Sequence, residues 1–350
     1  MRILYGIQGT GNGHLSRAED VVPALQKIGN VDILVSGNQS QVPTNFSINY
    51  QRKGLTFFTS KNGGINFGKT LKNFNFVNFA REIQDFPTKK YDLIISDFEP
   101  ISAWSAMLKN IPCIELSHQA AVCHSSSPKH EKNDLFGNYV LKHYCPAKTK
   151  YGFHFQSYAD SIFEPIIRKS IRECDPSDEN YYLVYLPAYH DDAIFRILSC
   201  FDVKWKVFSK YSKQFSVRNN VEFFPIDNNK FLHSFQNCSG VLCGAGFELP
   251  AEALYLGKNL LVIPMKGQFE QQCNAASLRD LGITVLPELS LIHHRTIQNW
   301  LTITKPIHIN YSTNLDHVIN KIIVDFEHQN IPTPELTRPL MNLEFYKLFL

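Results

Sequence analysis

No apolar run in this 350-residue chain reaches the roughly 18–20 residues that a helix needs to span a bilayer, so an integral membrane protein is excluded. The eight cysteines, at 113, 123, 145, 174, 200, 238, 243 and 273, include no C-x-x-C pair. Neither a zinc site nor a disulfide framework is indicated, and a reduced, cytoplasmic protein is the simplest expectation. No h-region or cleavage site follows Met1-Arg2-Ile3-Leu4-Tyr5-Gly6, which reads as a strand rather than a signal peptide. Short repeats and low-complexity tracts are missing. So is a basic stripe: the net charge is only +3 and dispersed, and nucleic acid is not the expected partner.

Charged residues amount to 19% against 44% hydrophobic ones, which allows sizeable buried cores. Two domains are expected, because one core rarely grows past roughly 250–300 residues. The charge is unevenly split. Residues 1–170 carry 19 Lys and Arg against 13 Asp and Glu, a net of +6; residues 171–350 carry 16 against 19, a net of −3. A basic front half would draw an anionic substrate or an anionic membrane surface, although ordinary solvated surface charge accounts for it as well.

In the first half, short apolar runs alternate with amphipathic stretches. Arg2–Ile7 reads as a strand, Leu15–Lys27 as a helix with Ala18, Val21, Val22 and Leu25 on one side, and Val31–Val35 as a second strand. Tyr91–Ser96 predicts a third strand, a helix follows over 101–109, and Ile111–Leu116 predicts a fourth strand. In the second half, strands are expected at Tyr181–Leu186, Trp205–Phe208, Val221–Phe224, Gly240–Cys243 and Asn259–Ile263. Helices are expected over Asp191–Cys200, Lys230–Phe235, Glu248–Leu256 and Gln271–Leu281. Near-continuous apolar strands separated by helices mean parallel sheets covered on both faces. The proline-punctuated stretch from Ser161 to Asp178 suits a linker, which puts the boundary near 170. The expected architecture is α/β: two Rossmann-like, doubly wound parallel-sheet domains, 1–170 and 171–335, facing each other across a cleft. Ligands belong beyond the carboxyl ends of the strands.

Gly9-Thr10-Gly11-Asn12-Gly13-His14 joins the first strand to the first helix. It is not the dinucleotide fingerprint, because histidine stands where the last glycine would, and no Lys-Ser/Thr pair makes it a P-loop. Gly11, Asn12 and Gly13 are candidates for a loop that receives an acceptor or a phosphate at the helix N-terminus. His14 has a side chain suited to general-base chemistry near neutral pH, and a helix N-terminus biases it toward the neutral form. Asp97, at the carboxyl end of the Tyr91–Ile95 strand, could orient that base. A tight turn with an incidental histidine, and an N-cap for Asp97, are the plain alternatives. Glu99 is a rival to Asp97.

The second glycine loop, Gly244-Ala245-Gly246-Phe247, follows an apolar strand and opens a helix, where free N–H groups suit a phosphate. Glu252, about one and a half turns into that helix, could accept both hydroxyls of a ribose. Glu270, Gln271 and Asn274, beyond the next strand, supply carboxylate and amide groups fit for sugar hydroxyls. A plain turn, a solvated helix face and a capping cluster remain as alternatives.

The order G-x-G-N-G-H, then S-D-F, then C-G-A-G-F…E-A-L-Y-L-G-K…V-I-P…E-Q-x-x-N-A is similar to the GT-B glycosyltransferases. It most resembles the UDP-glycosyltransferase-like group and the transferases that glycosylate lipid-linked cell-envelope precursors. The resemblance covers about residues 1–285, and 240–282 is its specific part. It implies two Rossmann-like domains, an acceptor held by the first and a nucleotide-sugar donor held by the second. By position it implies backbone contacts from Gly244, Ala245, Gly246 and Phe247 to the donor diphosphate, and Glu252 on the ribose. It further implies Glu270, Gln271 and Asn274 on the donor sugar, the loop Pro225–Phe231 on the base, and His14 and Asp97 as catalytic base and orienting carboxylate. The chain departs in having G-A-G-F for the commoner G-G-x-[ST], glutamate for aspartate at 270, and no tryptophan before the base loop.

The function expected from this resemblance is inverting transfer of a sugar from a nucleoside-diphosphate donor, UDP-linked, to a hydroxyl, with no metal and no other cofactor. The acceptor would be a lipid-linked or cell-envelope glycan. Phe57, Phe58, Phe67, Phe74, Phe76 and Phe79, interleaved with basic residues, could touch the inner face of a membrane; an amphipathic helix packing on its own sheet is the alternative. Residues 119–134 have the length of an acceptor lid, and the tail 336–350 is expected to cross back to the first domain. A nucleotide-sugar epimerase or hydrolase on the same frame, and a non-catalytic sugar-nucleotide-binding subunit, are the rival functions.

Overall fold

The structure is a computed structural model that describes residues 1–10, 12–37, 44–54, 75–131 and 134–329. The first sheet comprises β1 (Arg2–Gln8), β2 (Asn30–Ser36), β3 (Tyr50–Arg52), β4 (Leu93–Asp97), β5 (Cys113–Ser117), β6 (Thr149–Phe153) and β7 (Ile162–Phe163). They lie in the order 3-2-1-4-5-6-7, all parallel. The second comprises β8 (Tyr181–Tyr185), β9 (Lys204–Phe208), β10 (Ser216–Arg218), β11 (Val221–Phe224), β12 (Gly240–Gly244), β13 (Asn259–Ile263) and β14 (Thr284–Val285). Their order is 10-11-9-8-12-13-14, antiparallel only between β10 and β11.

The central strands bury consecutive residues because helices cover both faces of each sheet. All five residues of β4 and all five of β13 are buried. Each sheet changes its winding direction beside its first strand: between β1 and β4 in one lobe, between β8 and β12 in the other. Those switch points open crevices at the carboxyl ends of the strands. His14 follows β1 and Asp97 ends β4; Gly244 ends β12.

The lobes meet through a large apolar cluster, in which Phe155 of the first packs on Phe247 of the second at 5.3 Å between ring centres, and through a small one of Val122 with Phe269 and Cys273. The helix Leu315–Gln329 bears on how the chain is shared between the lobes. It falls in 171–335 but packs on the first lobe, burying Val318, Ile319 and Ile322. Lys27 donates to Asp316 at 2.6 Å, and the Tyr151 hydroxyl donates to Asp325. The chain therefore returns to its first lobe before residue 330, while the expected crossing segment 336–350 lies outside the described residues. Of the aromatic stretch considered for a membrane, 55–74 is likewise outside them. The helix Phe76–Asp85 buries Phe79 and Ile83, in one cluster with Ile101 and Trp104, as a packing helix does.

Candidate active site

At the end of β4 the backbone makes an uncommon turn. Phe98 is left-handed, with φ 54°, a conformation that strains a bulky residue. Its ring is held against Tyr144 at 4.6 Å. The turn separates the two neighbouring carboxylates. Glu99 accepts from the Ile101 and Ser102 N–H groups at 2.9 and 2.6 Å and caps the helix Pro100–Lys109. Asp97 is thus released from capping and lies 2.9 Å from His14 Nδ1, through Oδ1. A carboxylate only accepts, so the 2.9 Å contact places the proton on Nδ1; Arg17 Nη2, 3.2 Å from the same nitrogen, directs its hydrogens to Asp97, and in the neutral ring Nε2 keeps its lone pair.

Arg17, one turn after His14 on the helix Asn12–Gln26, was not singled out by sequence and completes this centre. Its Nη2 donates to Asp97 Oδ1 at 2.7 Å and Oδ2 at 2.9 Å, and its Nη1 donates across the cleft to Glu248 Oε1 at 2.6 Å. Glu248 opens the helix Glu248–Tyr255 of the second lobe. A Cβ on Gly13 would lie 2.5 Å from Glu248 Oε2, so any other residue there would push aside the carboxylate that Arg17 holds. Gly11 lies outside the described residues, and of Asn12 only the backbone is described.

In the second lobe the predicted donor residues divide. Gly244 and Gln271 line a crevice at the β8/β12 switch point, together with residues 186–189 and 263–266. Gln271 Oε1 accepts from the Met265 N–H at 2.9 Å. A Cβ on Gly246 would meet nothing within 4 Å, leaving that backbone open to a ligand. Glu270 faces the first lobe, where it accepts from Gln119 Nε2 at 3.0 Å; the same nitrogen lies 3.4 Å from His14 Nε2. Gln119 belongs to the short helix His118–Cys123, so the stretch expected to form a lid begins in regular structure.

Three residues cast as donor contacts have their side chains engaged within the protein, which for Phe247 leaves the expected backbone contact untouched. The Phe247 ring stacks on His118 at 3.9 Å and 5° and is buried. Asn274 Nδ2 donates to the Ala245 carbonyl at 3.1 Å, and its Oδ1 lies 2.8 Å from His118 Nε2. Both join the lobes. Glu252 is 2% exposed, and its two oxygens accept from Arg168 Nε and Nη2 at 2.5 and 2.7 Å. In this bidentate, buried ion pair both oxygens are engaged by a residue 84 positions earlier.

The profile of glycosyl transferase family 1 matches residues 1–304. The chain belongs to that family. No curated protein matches its sequence. Among solved structures, the fold is similar to the glycosyltransferase SnogD from Streptomyces nogalater, with TM-score 0.52, 13% identity, and 95% and 96% of the two chains covered. It is similar to MurG of Acinetobacter baumannii, with TM-score 0.51, 13% identity, and 92% and 99% covered. It is also similar to UGT89C1 of Arabidopsis thaliana, solved with quercetin, with TM-score 0.54, 12% identity, and 99% and 97% covered. At such identities the likeness is one of fold, and that fold is GT-B.

In this family 1 glycosyltransferase, the charges around His14 oppose one another. Burial disfavours the imidazolium, but the Asp97 charge and hydrogen bond outweigh it, with Arg17 lowering and Glu248 raising the pKa; the net value lies above the ordinary 6.5. Burial likewise raises the Asp97 pKa, and Arg17 and His14 more than reverse it, so Asp97 stays ionised. Among the described residues, no group of three or more His, Cys, Asp or Glu side chains is placed to hold a metal ion. No described helix is long and apolar enough to cross a membrane.

Proposed function

We propose that this glycosyltransferase moves a sugar, with inversion and without a metal ion, from a UDP-linked donor to a hydroxyl of a lipid-linked or cell-envelope glycan. The observation that carries the reading is the orientation of His14. With Nδ1–H given to Asp97, the lone pair of Nε2 lies on the side of Gln119 and Glu270, between the lobes. Nε2 takes the proton of the acceptor hydroxyl, whose oxygen attacks the anomeric carbon as the bond to the diphosphate breaks; Asp97 steadies the imidazolium. One displacement from the face opposite the leaving group inverts the centre.

Charge developing on the diphosphate is met by the open backbone at Gly244 and Gly246 and by the first turn of the helix Glu248–Tyr255. Pro250 has no N–H, so Glu248 and Leu249 supply the free first-turn amides there. Gln271 and Glu270 are the side chains we assign to the donor sugar. The net +6 of residues 1–170 favours an anionic, membrane-borne acceptor reached from the cytoplasm. Sedimentation with anionic vesicles at low salt, reversed at high salt, checks that placement.

The decisive experiment combines two readouts. In a thermal-shift screen of nucleoside diphosphates, UDP is expected to stabilise most, by about 2.7 kcal/mol at 100 times its dissociation constant. Product from the matching UDP-sugar should carry the inverted anomer by proton NMR, with or without a chelator. A retained anomer sinks the single displacement.

The pH dependence follows from the sign of the His14 shift. The base form is lost as pH falls through a pKa above 6.5, so kcat/KM should be flat at high pH and decline below that value. Asp97→Asn withdraws the charge that raises this pKa while Arg17 continues to lower it. Its acid limb should therefore move to lower pH, alongside a reduced plateau. An unmoved limb would mean that another group titrates.

A further inference from the structure

Gln119 stands between functional groups of both lobes, and its amide is only half used. Ser117 caps its helix by accepting from the Ala120 N–H at 3.0 Å, and Gln119 itself is 5% exposed. The amide orientation follows from chemistry: Glu270 only accepts, so Nε2 must face it, at 3.0 Å. The same nitrogen is 3.4 Å from His14 Nε2, a long contact that yields readily to a better partner. The carbonyl Oε1 on the other arm is buried and meets no hydrogen-bond donor among the described residues. Buried polar atoms are nearly always paired, and leaving one unmet is costly.

A ligand entering between His14 and Glu270 displaces Nε2 from its contacts and comes within reach of this amide. The attacking hydroxyl directs its proton to His14 Nε2, displacing the long contact. Oε1 then calls for a second donor from the ligand. A phenol or simple alcohol has one hydroxyl proton, already committed to His14. We propose that Gln119 is a specificity-determining residue that accepts a hydrogen bond from a second acceptor hydroxyl, so that the acceptor presents neighbouring hydroxyls, as a sugar or polyol does. This rests on the reading of His14 as base. The donor sugar is the other source of such a hydroxyl, and probes that differ only on the acceptor side separate the two.

The test uses the full chain saturated with UDP. Dissociation constants for trans-cyclohexane-1,2-diol and cyclohexanol are read from the chemical shift of the His14 imidazole. The diol is expected to bind about tenfold tighter, the size of one satisfied buried acceptor. Gln119→Leu should erase the preference, so that diol and cyclohexanol bind alike; Gln119→Asn, which retracts the amide by one methylene, should do the same if the leucine variant does not fold. Equal affinities in the wild type, no shift with the diol up to its solubility, or a preference that survives either substitution overturns the proposal. The base reading fails on a different result, full turnover in His14→Ala, so the two failures are distinguishable.

Discussion

Alanine at position 14 is expected to lower kcat by about 10²–10⁴-fold, the usual contribution of a general base, while calorimetry finds the affinity for UDP unchanged. No neighbour can take over the role. Asp97 is fully buried, held ionised by Arg17 and His14, and turned toward them. Gln119 presents an N–H to His14, and an amide nitrogen is no base. The fold should survive, because Arg17 continues to satisfy both Asp97 oxygens once the imidazole is gone. Weakened UDP binding with normal kcat would instead make His14 a donor ligand and leave the reaction without its base.

Much of this centre was legible because its parts sit at the ends of strands that announce themselves. β1, β4, β12 and β13 are largely apolar where they are buried, and β1, β4 and β12 end in or run into a glycine or an acidic residue. Sheet geometry then brings His14 and Asp97, 83 positions apart, to 2.9 Å. The residues that escaped notice have tertiary meanings without local signatures. Arg17 and Glu248 read as ordinary helix charges until the two lobes are set face to face. Glu252 has a motif position that suits a ribose, yet its partner Arg168 lies on the linker, where no spacing rule reaches it. β6 stayed hidden because Lys150 interrupts it. That lysine donates to the buried Glu115 at 2.6 Å, a pairing visible only across strands.

The same geometry explains why the cleft is sensitive to charge as well as to shape. Three cross-lobe contacts converge on the gap: Arg17 with Glu248, Gln119 with Glu270, and His118 with Asn274. The first two involve groups beside the base, so the arrangement of the dyad and the closure of the lobes are energetically one problem. Arg17 is the group common to both, since it holds Asp97 with one edge and Glu248 with the other.

Arg17→Met should accordingly destabilise the protein by about 3–5 kcal/mol, the range for breaking a buried ion pair by removing one member. The side chains of Arg17 and Asp97 are 3% and 0% exposed, so water cannot replace what is lost. By contrast Lys27–Asp316, with both side chains at least half exposed, should be worth about 0–1 kcal/mol. Among the described residues His14 is then the remaining cationic partner of the orphaned Asp97, which favours the imidazolium. The acid limb of the pH profile should then move to higher pH, opposite to the shift in Asp97→Asn. Urea titration of Arg17→Met and of Arg17→Met/Asp97→Asn separates charge from packing. If the orphaned carboxylate is the cause, the double variant regains most of the stability. If it is as unstable as the single variant, the loss lies in the contacts of the Arg17 side chain, including its guanidinium 5.8 Å from the Phe153 ring centre.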